Sequence, residues 1–360
     1  MRVQLDKISS ATRNVPLHRQ VVLGSEIPAT AGTVLAVRVL DEKSAYNQVE
    51  DVHGRMMTVH AGDLLAGVLG ARRALRGYSG EVPERVAPGD VLHLLNLGGI
   101  IGRCTSANPE VGPPARVEVL GVVLRFPELG RRVGAPANIR PGPVTPTDTL
   151  DALPPAIFVV GSCMHAGKTA AACQLVRKLT AAGLRVGVAK VTGVALRRDA
   201  LEMVDHGAVC AYTFADAGLP STCEGEVVAV ARGCLNAVAQ HKVDVMVIEL
   251  GDGLLGDYGV MDILEAPDLA EAATATVLAA TDPVAAWGGV GLLAGIGMAP
   301  TVVTGPSTDN EAGSSRITAM TEIPALNART QSAAFAEAVF AQLRGKAPKR
   351  TALRIAGGKP

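Results

Sequence analysis

The sequence predicts an α/β chain in which a parallel-sheet domain follows a smaller β-rich, barrel-like N-terminal domain. Three observations predict it. Residues 134–155, GAPANIRPGPVTPTDTLDALPP, are rich in Pro and Gly and carry no apolar periodicity, so they read as a linker between domains at 1–133 and 156–346. Before that stretch the chain is a series of short β-prone runs. After it, near-continuous Val/Ile/Leu strands alternate with amphipathic helical segments, the pattern of a parallel sheet covered on both faces.

Composition narrows the setting. The chain has 360 residues, with 34 Lys and Arg against 34 Asp and Glu, and a formal net charge of zero. That balance speaks against a nucleic-acid groove or an anionic membrane surface as partner. The six cysteines show no C-x-x-C pair, and buried reduced thiols are expected. The first twenty residues lack the apolar core of a signal peptide, and no apolar run is long enough to cross a bilayer. A cytoplasmic protein is expected, with residues 347–360 as a flexible tail.

In the N-terminal half, strands are expected at 20–23, 33–40, 55–59, 90–95 and 115–124, separated by turn signals such as Ala61-Gly62-Asp63 and Pro88-Gly89-Asp90. One helical piece is expected near 64–75. The Leu97-Gly98-Gly99-Ile100-Ile101-Gly102 stretch resembles a dinucleotide fingerprint. It lacks the following helix and the acidic residue, so a tight β-turn is the better reading.

In the C-terminal half, strands are expected at 157–160, 185–191, 209–214, 243–250, 276–280 and 301–304. Helices are expected near 168–182, 197–207, 224–241, 259–273, 282–297 and 330–343. The glycine-interrupted apolar stretch 284–298 reads as a buried helix or loop. Ligands of parallel sheets bind beyond the carboxyl ends of the strands, so the residues after each strand carry the functional reading.

The first strand is the most informative. Ile157-Phe158-Val159-Val160 feeds Gly161, Ser162, Cys163, Met164, His165, Ala166, Gly167, Lys168 and Thr169, and a helix continues from Ala170. Strand, glycine-bounded loop and helix N-terminus, in that order, form a phosphate-binding turn. Loop N–H groups face phosphate oxygens, Lys168 reaches the terminal phosphates, and the Thr169 hydroxyl sits on Mg²⁺. Ala172, Leu175, Val176 and Leu179 repeat at helical spacing behind the loop, and Gly183 ends the run. A lysine at a helix start opposes the dipole unless an anion is present, which weighs against a turn that merely packs.

Lys190 closes an otherwise apolar strand before Thr192-Gly193. Either it meets substrate or phosphate, or it snorkels at the sheet edge; its place at the binding rim favours the first. Glu249 emerges from the apolar run 243–248 into Gly251-Asp252-Gly253, where a carboxylate beside a phosphate loop holds Mg²⁺. Asp252 and Asp257 suit a helix-capping role better. The loop 214–222 reads equally as a substrate contact or as a turn with Ser221 or Thr222 capping the next helix. The loop 304–310 reads as plain, with base recognition as the competing role. His165 either donates to phosphate or fills a variable loop position. His206 and Cys210 are four apart, but two ligands do not make a zinc site.

The loop carries five residues between Gly161 and Gly167-Lys168-Thr169, one more than the usual spacing. With Lys190-Val191-Thr192-Gly193 and the Glu249-Leu250-Gly251-Asp252-Gly253 turn, it resembles the dethiobiotin synthetase and cobyrinic acid a,c-diamide synthase group of P-loop NTPases over residues 155–345. Ser162 stands for the family's usual Thr, and the Lys190 motif is shortened. Glu249 falls on the Mg²⁺-binding Glu, and Asp199 or its rival Asp205 on a second-strand Asp. Cys163 and Met164 occupy the region where partitioning ATPases carry a signature lysine.

The resemblance implies ATP and Mg²⁺ as cofactors, with Lys168 and Lys190 catalytic. It implies phosphoryl transfer to a small carboxylate or carbamate metabolite by a ligase or cyclo-ligase. The diamide-synthase route is disfavoured because no glutaminase domain is present. A small-molecule kinase is the runner-up, and a nucleotide-hydrolysing adaptor or metallochaperone is the alternative from another class. The expected partners are a small-molecule substrate and a second copy in a homodimer, with no nucleic acid and no membrane.

Overall fold

The computed structural model describes residues 1–126 and 133–346; the expected tail at 347–360 lies outside the described residues. Contacts divide the chain into two compact units. One comprises Met1–Thr145 with the insertions Val194–Arg198 and Phe214–Gly225. The other comprises Pro146–Gly193, Asp199–Thr213 and the chain from Glu226 onward. Two short segments of the C-terminal half thus belong to the N-terminal unit, an exchange that strand and helix periodicity does not report.

The first unit is built on an eleven-stranded, largely antiparallel sheet among the described residues. Part of it closes on itself: Arg116–Arg125 pairs with Val34–Val39, which pairs with Leu64–Leu69, then Ile100–Ala107, then Val91–Leu94, which returns to Arg116–Arg125. Closure removes exposed ladder edges. Leu35, Val37, Leu65, Leu69, Ile101, Val117 and Val119 fill the interior. The helix expected near 64–75 is absent: Leu64–Leu69 and Arg72–Arg73 are strands. Both faces of Leu64–Leu69 are covered, so its apolar run lacks the strand alternation and mimics a helix pattern. Ala135–Pro136, inside the Pro/Gly-rich stretch, pairs with Arg116–Arg125. The Gly98-Gly99 stretch is the expected tight turn, with Gly99 at φ 88° and Leu95 N–H donating to Ile100 O.

The second unit is built on a six-stranded parallel sheet among the described residues. Its strands are β1 (Ala156–Gly161), β2 (Val186–Thr192), β3 (Cys210–Thr213), β4 (Val245–Leu250), β5 (Ala273–Ala279) and β6 (Val302–Thr304). They lie in the order β3-β2-β4-β1-β5-β6, so β1, β2 and β4 are interior and adjacent. Helix α1 (Lys168–Ala181) turns Ala172, Leu175, Val176 and Leu179 onto the sheet, where Ile157, Val188, Val247 and Phe335 complete the core. Burying each large aliphatic side chain there stabilises the unit by about 2 kcal/mol. Gly183, at φ 80°, ends that helical run as expected.

The remaining helices are α2 (Arg198–Asp205), α3 (Val227–Ala239), α4 (Val260–Glu265), α5 (Pro267–Ala272), α6 (Pro283–Gly295), α7 (Glu311–Thr321) and α8 (Ser332–Lys346). The single helix expected at 259–273 is two, because Pro267 cannot donate to the helix before it and starts a new one. Helix α7 has no apolar stripe to announce it; only Ile317 is buried. The stretch read as buried forms α6, but Val284 and Trp287 are exposed on it. Among the described residues no helix is long and apolar enough to cross a membrane.

Candidate functional site

The carboxyl ends of β1, β2 and β4 bring the predicted residues together. Loop 162–167 leaves β1 with Ser162 N–H donating to Ala279 O, and the Ser162 hydroxyl accepting from Thr281 N–H at 3.3 Å. His165 at φ 60° and Gly167 at φ 96° bend the loop into the N-terminus of α1. No side chain caps that helix, so its first N–H groups are left without a side-chain acceptor, which is the requirement for an anion site. His165 is exposed at the loop tip, whereas Ala166 is fully buried beneath it.

Two turns support the loop from below. A Cβ at Gly253 would lie 2.6 Å from Ser162 O and 2.8 Å from Cys163 Cα, and Leu254 N–H donates to Gly161 O. A Cβ at Gly305 would lie 2.2 Å from Ala166 O. Only glycine fits at both positions. Neither glycine is marked in the sequence as a support of the loop.

Lys168 is 6% exposed, and its ammonium bends back to donate to Cys163 O at 2.9 Å. Burial pushes it below the ordinary lysine value, Glu249 opposes that, and neighbouring Lys190 adds to it. Within the loop, its cation has a single neutral acceptor. Lys190 lies in interior strand β2, so it does not snorkel at an edge. It pairs with Asp199, in the first turn of α2, and with Glu249 Oε1 at 3.4 Å. Burial alone would lower Lys190, but Asp199 and then Glu249 outweigh it and hold the ammonium above the ordinary lysine value. Asp205, the other candidate, is exposed at the far end of α2.

Glu249, 1% exposed at the end of β4, links the set. Its Oε1 accepts from the Thr169 hydroxyl at 3.2 Å, while its Oε2 is buried with no hydrogen-bond partner. A buried carboxylate oxygen left unmatched is costly. Beside a Thr at a phosphate-loop helix start, it fits a hydrated Mg²⁺. Among the described residues no three His, Cys, Asp or Glu side chains form a self-sufficient metal cluster. The donor set therefore suits an ion completed by water and phosphate rather than one caged by protein.

The loop 214–222 does not take the capping role. It joins the first unit: Asp216 pairs with Arg13 at 2.9 Å, and Asn14 donates to Ala215 O at 2.7 Å. Helix α3 starts after Glu226, so neither Ser221 nor Thr222 caps it. The neighbouring insertion 194–198 is fixed by Glu50, fully buried, whose carboxylate accepts from the backbone N–H groups of Arg197 and Arg198, each at 2.7 Å. In the loop after β6, Asn310 caps α7 and Asp309 accepts from Asn327 Nδ2 at 2.9 Å.

A strand, a glycine-bounded loop and a helix N-terminus at the rim of an all-parallel sheet form the P-loop nucleotide-binding arrangement. No protein-family model matches the chain, and no curated protein matches it. Solved structures match in part. Chloroplast FtsY from Physcomitrella patens aligns at 15% identity over 53% of this chain and 66% of that one, with a TM-score of 0.38. The signal recognition particle 54 kDa protein from Aeropyrum pernix K1, in complex with GDP, aligns at 17% identity over 56% and 50%, with a TM-score of 0.34. FtsY from Elizabethkingia anophelis in complex with GDP aligns at 16% identity over 55% and 67%, with a TM-score of 0.35. The matched part spans half to two thirds of those structures, and at these scores the likeness assigns no activity.

Proposed function

We propose that the chain binds a nucleoside triphosphate, ATP in this reading, with Mg²⁺ at loop 162–167, and transfers the terminal phosphoryl group to a small carboxylate- or carbamate-bearing metabolite. The supporting observation is the convergence of Lys168, Thr169, Lys190 and Glu249 at one strand rim, with Glu249 Oε2 buried and unmatched. In this reading Lys168 exchanges its contact with Cys163 O for phosphate oxygen, an anion that relieves its desolvation. Thr169 and Glu249 hold the ion, which supplies charge neutralisation on the transferred group. Lys190, already held charged by Asp199 and Glu249, adds a fixed positive charge where negative charge develops. The loop matches the dethiobiotin-synthetase-like form, which favours a ligase or cyclo-ligase over release of a phosphorylated product.

A metabolite screen tests the proposal, with ADP release as the readout and mass spectrometry of the products. Stimulation by a carboxylate or amine-bearing metabolite, with a new C–N or C–O bond and free phosphate, supports a ligase. A stable phosphorylated product supports the kinase instead. Hydrolysis that responds to no metabolite but rises with a protein partner would sink the enzymatic reading and favour an adaptor.

A further inference from the structure

The first unit contains a second concentration of positive charge, unrelated to the phosphate loop. Arg72 is 4% exposed at the edge of the sheet. Its Nη1 donates to Tyr46 Oη at 2.9 Å and to Leu95 O, both neutral acceptors. Its Nε is buried and donates to nothing. Among the described residues no carboxylate lies within ion-pair distance of it. The Nη2 side faces Gly77, where a Cβ would stand 2.8 Å from Nη2 and 3.3 Å from Cζ, so only glycine fits beside that edge. Nε and Nη2 together form the edge of a guanidinium that takes an oxyanion through two parallel hydrogen bonds.

The surroundings extend the pattern. Tyr46 packs edge-on against Tyr78, with ring centroids 5.2 Å apart, and Arg72 stacks 5.7 Å from the Tyr46 ring. Tyr46 is held at φ 54°, an unusual conformation for an aromatic residue. Lys43 lies 5.8 Å from the Tyr78 ring and donates to Tyr78 Oη at 3.3 Å, to Val111 O and to Pro113 O. Burial pushes Lys43 below, and Tyr78 up to about 12, so the Tyr78 hydroxyl keeps its proton and offers no counter-charge. Both cations thus hydrogen-bond to neutral oxygens, and Asp41 acts on Lys43 only from beyond ion-pair distance. Burying such charge without an anion is unfavourable, and an unmatched fork edge compounds it.

We propose that the Arg72, Tyr46, Tyr78 and Lys43 cluster is a binding site for a small oxyanion, with the Arg72 Nε–Nη2 edge as its fork and Lys43 as the second cation. The partly exposed Lys43 and Tyr46 form its rim. Phosphate esters and carboxylates share this chemistry, and the test separates them.

The experiment uses the full chain carrying Lys168→Ala, so that phosphate cannot register at the nucleotide loop. Inorganic phosphate and succinate are titrated at constant ionic strength, with calorimetry as the readout. Saturable binding of at least one anion is expected, weakened about tenfold or more by Lys43→Ala and by Arg72→Lys, which keeps the charge but loses the fork. Saturation by phosphate alone assigns the site to phosphate esters, and by succinate alone to carboxylates. If Arg72→Lys does not fold, the partly exposed Lys43→Ala carries the comparison. No saturable binding of either anion, or binding that Lys43→Ala leaves unchanged, overturns the proposal.

Discussion

The rim of the parallel sheet and the Arg72 cluster both bury cations, yet they obtain their counter-charge differently. At the rim, Lys190 is matched from within the chain by Asp199 and Glu249. Lys168, beside it, hydrogen-bonds to the Cys163 carbonyl and feels Glu249 only from beyond ion-pair distance. In the Arg72 cluster the hydrogen-bond acceptors are tyrosine and backbone oxygens, and Asp41 acts on Lys43 only from beyond ion-pair distance. A cation matched by the chain is a fixed charge that shapes its surroundings. One left with carbonyls is poised for an anion from outside. The two lysines at one rim thus do different work, and Lys168 has more in common with Arg72 than with its neighbour.

The largest expected effect follows from removing the unmatched lysine. Lys168→Ala should lower triphosphate affinity or turnover by about a hundredfold or more, because the phosphates lose their main cation. Turnover like that of the unaltered protein would remove Lys168 from the site. Next is the matched lysine. Lys190→Met leaves the buried Glu249 and the half-buried Asp199 without their shared cation and should cost about 3 kcal/mol at pH 7. Urea denaturation measures this; a loss below about 0.5 kcal/mol would mean that the ion pairs contribute nothing net.

The lysines should also part company with pH. Lys168 is lowered in the folded state, so its burial costs stability below its folded value, and that cost fades as pH rises toward 10.5. The advantage of Lys168→Met over the unaltered protein should therefore shrink as pH climbs. Lys190 is raised, so its contribution is fully present below 10.5 and is lost only as pH rises through its higher folded value. Denaturant midpoints of both variants from neutral to alkaline pH test the contrast; parallel curves would contradict it. Glu249→Gln should raise the Mg²⁺ concentration needed for half-maximal nucleotide binding by about tenfold. An unchanged Mg²⁺ titration would count against a metal role.

Much of the rim was legible because parallel strands announce themselves. Lys190 and Glu249 are charges that close apolar runs, and the loop 162–167 has a spacing set by phosphate geometry. The pairing of Lys190 with Asp199 was half-legible, since the turn between them hides their approach. The Arg72 cluster was not legible at all. Lys43 and Tyr46 share one loop and Arg72 and Tyr78 lie on two paired strands later in the chain, and only the fold of the first unit brings the two pairs together. The apolar Leu64–Leu69 run misled for a related reason: a strand covered on both faces loses the alternation that marks strands. The insertions 194–198 and 214–225 are invisible to periodicity because they are held by Glu50, Asn96 and Arg13 from distant parts of the chain.

The most direct test is calorimetric titration of ATP into the full chain with and without Mg²⁺, repeated on Glu249→Gln. A nucleotide site completed by Glu249 predicts saturable binding that Mg²⁺ tightens about tenfold or more in the unaltered protein and barely changes in the variant. Absence of saturable ATP binding, or an equal Mg²⁺ effect in both proteins, would contradict it.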